Sequence, residues 1–158
     1  MAITPNEFRA ALGRFASGVT VVTTRDKAGR LFGITVSAFC SVSLAPPLIL
    51  VCIDKSTGTH HALTETNSFV VNILREDQQY ISDRFASLLP DKFETVKYRT
   101  GIDDLPVIED VLANLECRLI YSHAGGDHTV YVGEIERATL NDGKPLLYWH
   151  GNYRKIEG

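Results

Sequence analysis

The chain contains no run of about 18 apolar residues, so no membrane-spanning helix is expected. Cysteine is sparse. Cys40, Cys52 and Cys117 form an odd, widely spaced set, which excludes a disulfide framework and a Cys-x-x-Cys pair. All three are expected to be reduced thiols. Basic charge is not concentrated: 16 Lys and Arg against 19 Asp and Glu leave a net charge of −3. A nucleic-acid partner, which needs a basic face, is therefore not expected. Nor do the five histidines group. His60 and His61 are adjacent and point about 100° apart on a helix, while His123 and His128 flank a glycine turn, so no metal is expected. A Gly-x-Gly-x-x-Gly turn and a Walker loop are also missing, and a nucleotide would be held in some other manner than the Rossmann one. The opening MAITPNEF lacks the basic-then-apolar order of a secretory signal, which points to the cytoplasm.

What is present reads as one domain over residues 1–158, mostly strand. Thr4-Pro5-Asn6-Glu7 is a capping box with proline at the first helical position. Phe8, Ala11, Leu12 and Phe15 continue it as an amphipathic helix to about Ala16. Val19–Thr24 and Leu31–Ala38 read as strands around the turn Asp26-Lys27-Ala28-Gly29. Leu48–Ile53 reads as a strand buried on both faces, and Phe69–Leu74 as another. Ser56–Thr66 has helix-start chemistry, and Asp77–Ala86 predicts a helix with Tyr80, Ile81 and Phe85 inward. Leu89–Val107 is expected to be irregular with one helical turn near Phe93. Leu115–Ser122 and Thr129–Leu140 form a hairpin around Ala124–Asp127, and Pro145–Trp149 closes the chain's strands, with Phe69 and Trp149 in the core. About six or seven strands, neighbours in sequence and without long bridging helices, favour an antiparallel barrel with a few short peripheral helices.

Two stretches carry chemistry. Gly33–Pro47 places small hydroxyl residues, two prolines and a glycine between apolar strands. It reads either as a strand ended by a proline turn or as an edge where backbone groups meet a planar heterocycle. In Cys52–Thr59 a buried strand gives way to a lysine, hydroxyls and a helix start. That suits a phosphate, and equally a plain Ser56 cap beside a solvated Lys55.

The block GITVSAFCSVSLAPPLILVCIDKST, from Gly33 to Thr57, resembles the short-chain flavin reductases, the small components of two-component flavin-dependent monooxygenases. FRAALGRFASGVTVVTT from Phe8, Gly126-Asp127-His128 and PLLYWHGNYR from Pro145 resemble that family in the same order. The resemblance implies a mainly β, antiparallel split-barrel homodimer that passes hydride from NADH, with NADPH also open, to FMN or FAD. Thr35, Val36, Ser37 and Ala38 would line the isoalloxazine through backbone groups, with Ser41 and Val42 beside them. Cys52, Ile53 and Asp54 would flank the ring, Lys55, Ser56 and Thr59 would meet the ribityl phosphate, and Phe85 and Ala86 would close the tail. His128, with Tyr153 and Arg154, would meet the nicotinamide. Without the resemblance, His128 reads as a turn histidine capping Asp127. A partner monooxygenase would receive reduced flavin by diffusion. The other readings are a pyridoxamine-phosphate-oxidase-like flavin enzyme of the same barrel and a module that holds flavin without turning it over.

Overall fold

The computed structural model describes residues 2–157. Helix α1 (Pro5–Leu12) opens with the expected capping box: Glu7 N–H donates to Thr4 Oγ1 at 3.2 Å and Thr4 N–H to Glu7 Oε2 at 2.8 Å. It stops short of Ala16, because Gly13 caps it onto Arg9 O and the next turn tightens to i−3 bonds. None of its residues is buried. Its apolar stripe faces outward rather than into the core.

The strands that follow are β1 (Ser17–Gly18), β2 (Thr20–Arg25), β3 (Leu31–Val36), β4 (Phe39–Ser43) and β5 (Leu48–Asp54). Helix α2 (Gly58–Thr66), β6 (Ser68–Ile73), α3 (Gln79–Ala86), β7 (Tyr98–Thr100) and β8 (Pro106–Ile108) come next. The chain ends in β9 (Ala113–Gly125), β10 (His128–Leu140), β11 (Leu147–Trp149) and β12 (Asn152–Arg154). Seven strands form one antiparallel sheet in the order β3-β2-β6-β9-β10-β5-β4. Its two edges, β3 and β4, are joined by only Ser37 and Ala38. Two residues span roughly 7 Å at most, so the sheet has to curl until its edges adjoin. The ladder stays open there, which makes the barrel split.

Inside the barrel, Val22, Val36, Val51, Ile53, Phe69 and Tyr131 pack with Leu63 of α2. A second core lies outside β2 and β6, where Val21 and Leu74 meet Ile81 and Phe85 of α3 together with Phe93, Val96 and Ile108. The strands covered on both faces are therefore β2 and β6. In β5 only Ile49, Val51 and Ile53 are buried, so the expectation of two buried faces there is corrected. The outer layer does not reach that strand.

Other expectations are corrected in the same way. Tyr80 is 63% exposed, because α3 turns Ile81, Ser82 and Phe85 inward instead. Phe69 is fully buried, but Trp149 is 41% exposed, its Nε1–H donating to Arg14 O at 3.0 Å. The segment after α3 holds the short β7–β8 hairpin, and its turn near Phe93 is the Val96 N–H bond to Phe93 O.

Candidate functional site

The curl of the sheet brings distant segments of chain together. Cys52 N–H donates to Ala38 O at 3.1 Å, and β5 pairs with β10 so that Asp54 stands opposite His128. Ser37-Ala38, Cys52–Asp54 and His128 thus form one row across the β3–β4 link, β5 and β10. Strand alternation sorts the side chains. Val36 and Ile53 point into the barrel, 6% and 1% exposed, and can offer a ligand only backbone. Ser37 and Ala38 are exposed, and Thr35, Cys52 and Asp54 are half-buried. Because β3 and β4 are edge strands, each has one side with no strand partner. Small side chains there leave backbone donors and acceptors accessible, a set that fits the polar rim of an isoalloxazine. Ser41, opposite Ile49, and Val42, at a bulge before Ser43, lie further along β4 and are exposed.

Beyond β5 the chain turns sharply. Asp54 Oδ1 accepts from Ser56 N–H and Ser56 Oγ, each at 2.8 Å, and these bonds hold its pKa below the ordinary carboxylate value, helped by His128 and His60. Ser56 is therefore not the helix cap. Thr57 is, its Oγ1 accepting from His60 N–H at 3.3 Å. Lys55 N–H donates to Asp127 O, while its side chain is exposed and makes no ion pair among the described residues. A free cation, hydroxyls and the first turn of α2 together fit a phosphate. His128 Nδ1 lies 2.7 Å from Asp127 Oδ1, so the imidazole is oriented by its neighbour.

A second constellation hangs on α3. Thr35 Oγ1 donates to Ser82 O at 2.6 Å, and Ser82 Oγ meets Tyr153 OH at 2.6 Å. Tyr153 OH also donates to Asp83 Oδ1 at 3.1 Å, and burial pushes its pKa up. The phenol is thereby held beside β3. Arg154 packs instead over the Trp149 ring, 5.3 Å from its centroid.

Next to α2 opens a cleft of about 1160 Å³. Ser56, Thr59, Phe85 and Ala86 line it; the other thirteen residues expected at the site do not. The Phe85 ring is fully buried against Phe93, with centroids 5.0 Å apart, and under Gly33. A Cβ at Gly33 would stand 2.6 Å from that ring, so only glycine lets β3 pass over it. Three contributors escaped sequence reasoning. Ser82 anchors Thr35 and Tyr153, Gly33 makes room for Phe85, and Lys92 donates to Gly33 O at 3.3 Å and Phe85 O at 3.0 Å. Burial pulls the Lys92 pKa down. Nothing local marks a lysine in an irregular segment as half-buried, whereas Gly33 already stood in the informative block.

The fold is a split antiparallel barrel, with a small-residue edge between β3 and β4 and a hydroxyl-rich turn leading into α2. The chain is a flavin reductase of this class: the flavin reductase like domain family matches residues 12–157, and the chain belongs to that family. It is 41% identical over 159 residues to an NADH-dependent flavin reductase of Rhodococcus sp, covering 98% of this chain and 88% of that protein. The reductase subunit of a flavin-dependent monooxygenase from Rhodococcus jostii (strain RHA1) is 38% identical over 157 residues, covering 99% and 80%. The solved NADH:FAD oxidoreductase of Streptomyces globisporus C-1027 superposes with a TM-score of 0.92 at 34% identity, covering 100% of this chain and 98% of that one.

Proposed function

We propose that this protein oxidises NADH and reduces a flavin, FMN or FAD, which then diffuses to a partner monooxygenase. The row Ser37-Ala38, Cys52–Asp54 and His128 carries the reading. It joins a backbone edge suited to a flavin ring to an imidazole that can meet a second ring. The family and the activities named for the relatives support it. The two rings supply the chemistry themselves, hydride passing from nicotinamide to flavin.

The chain's own groups bind and orient. Backbone along Thr35–Ala38 and Ser41 meets the ring edge, with Val42 beside it and the backbone of Ile53 and Cys52 on its flank. Lys55, Ser56 and Thr59 hold the phosphate, and Phe85 and Ala86 close the tail. Asp127 fixes the His128 imidazole through Nδ1, leaving Nε2 for the nicotinamide side. Tyr153, pinned to Ser82 and Asp83, and Arg154 complete that side. No residue need act as nucleophile or base. No isolated arginine cluster awaits a 2′-phosphate, which favours NADH over NADPH. The chain works as a homodimer in the cytoplasm, where Cys40, Cys52 and Cys117 remain thiols.

Loss of NADH absorbance, followed without flavin and then with FMN or FAD, tests the reading. Turnover that requires both protein and flavin is expected. Absence of turnover with either flavin and either nicotinamide cofactor would refute it.

A further inference from the structure

We propose that Cys40 and Cys52 form an oxidisable thiol pair whose bridging closes the flavin row, so that hydrogen peroxide switches the protein off. The consequence for flavin rests on the flavin-reductase reading above. The pair arises from the register of β4 on β5. Cys40 stands opposite Leu50, and Cys52 N–H donates to Ala38 O at 3.1 Å. Cys40 and Cys52 are thus diagonal neighbours, each two residues from the other's opposite number. Strand alternation puts both on the outer face, since Val51 and Ile53, on either side of Cys52, are buried in the barrel. Cys40 is exposed and Cys52 half-buried. Burial, and then Cys40, push the Cys52 pKa up, so the two sulfurs lie near enough to feel each other's charge. Cys117 is the contrast. It is fully buried inside the barrel, where burial and then Glu116 and Glu136 push its pKa up to about 12, and it stays a thiol.

Diagonal neighbours in an antiparallel pair have Cα atoms roughly 7–8 Å apart. A disulfide needs about 4.4–6.8 Å, so bridging requires β4 to move toward Cys52 by on the order of an ångström. This strand is free to move. It lies at the edge of the sheet with β5 as its one partner, and its register already slips between Ser41 and Ser43. Only Ser37 and Ala38 join it to β3, and the movement carries them along. The backbone edge proposed to meet the isoalloxazine is then displaced, and sulfur fills the flank of the ring beside Cys52.

The oxidant is a by-product of the reaction. Reduced flavin that meets dioxygen before the oxygenase gives oxidised flavin and hydrogen peroxide. Peroxide oxidises the exposed Cys40 thiol to a sulfenic acid and is itself reduced to water. The Cys52 sulfur then attacks the Cys40 sulfur. The S–S bond forms, the S–OH bond breaks, and the hydroxyl leaves with the Cys52 proton as a second water. Two electrons pass from the thiols to peroxide, and a dithiol reductant returns them by exchange. The bridge forms when reduced flavin is made faster than it is consumed, and it stops further reduction.

Peroxide treatment of the reduced, flavin-free protein tests the proposal, read by intact mass, thiol titration after unfolding and the flavin Kd. Wild type is expected to go from three thiols per chain to one and to lose about 2 Da, with Cys40 joined to Cys52 in the peptide map. The Kd for FMN and for FAD should rise about tenfold or more and recover with dithiothreitol. Cys40→Ser should bind flavin as wild type does and keep that affinity through peroxide. Three remaining thiols, a bridge between two chains, or oxygen added to Cys40 without a bridge would overturn the proposal. So would a Cys40–Cys52 bridge that leaves the flavin Kd within about twofold, or a Cys40→Ser variant that still loses affinity. Normal flavin binding without a bridge sinks this inference alone. Failure of the reduced protein to bind either flavin sinks the reductase reading with it.

Discussion

At the scale of single residues, hydrogen bonds from neighbours set how the histidines near β10 are oriented. His128 illustrates this. It opens β10 just after the Gly126-Asp127 turn and contacts Asp127, and the β5–β10 register sets it opposite Asp54, at the end of the row proposed to meet the flavin. His128→Ala is expected to raise the KM for NADH or lower turnover while leaving the flavin Kd nearly unchanged. Unaltered steady-state kinetics would remove the nicotinamide role. His60 is constrained differently. Its Nε2 meets Thr129 Oγ1 at 2.8 Å, and Nδ1 is buried without a partner among the described residues. Burial, then the His61 and Lys55 charges, lower its pKa from the ordinary 6.5, while Asp54 opposes them. The folded state thus favours the neutral ring, and the unfolded chain binds more protons as pH falls below 6.5. Stability is therefore lost as pH drops from 6.5 through the lowered folded value, and the loss saturates below it. Wild type should melt at a lower temperature at about pH 5.5 than at about pH 7.5, and His60→Gln should narrow that difference. A variant with an undiminished difference would contradict this account.

At the scale of elements, a buried polar group holds layers together that apolar contacts alone would not register. Asn72, in β6, donates from Nδ2 to Val21 O at 2.9 Å and Thr23 Oγ1 at 3.1 Å. Its Oδ1 accepts from Ile108 N–H at 3.0 Å and Asn114 Nδ2 at 2.8 Å. One side chain thereby joins β2, β6, β8 and β9. Its removal strands the Ile108 amide in a fully buried setting. Asn72→Ala should cost about 3 kcal/mol, seen as a lower denaturant midpoint at unchanged slope. A loss below about 1 kcal/mol would show that water replaces the network. This anchor was not legible in advance, since an asparagine in an apolar strand gives no sign of which hairpin will cover it.

At the scale of the whole molecule, the outer surface is unfinished. Phe8 and Leu12 are each 55% exposed and Phe15 is 78% exposed, although their spacing is that of a core-facing stripe. Trp149, bonded to Arg14 O, adds a partly exposed ring nearby. Such an apolar face is expected to meet a second copy of the chain. Sedimentation should give a particle of twice the 17.5 kDa chain mass, and Phe15→Asp should shift it toward the single chain. A wild-type monomer would refute the homodimer.

Local pattern determined much of this protein. The Thr4 capping box, the β-branched run of β2 and the Gly126 turn each act through nearest neighbours, and each stands where its chemistry required. Which face of an element would be covered was decided only by tertiary structure. Tyr80 and Phe85 share one helix and both carry aromatic rings, yet only Phe85 found an outer layer to pack beneath. Leu48–Ile53 was apolar enough to be buried on both sides, but that layer passed over β2 and β6 instead. The cleft beside α2 arose likewise, from Arg84 and Phe85 drawing an irregular segment against β3. Periodicity records which residues avoid water; the long-range closure of the chain settles where water is kept out.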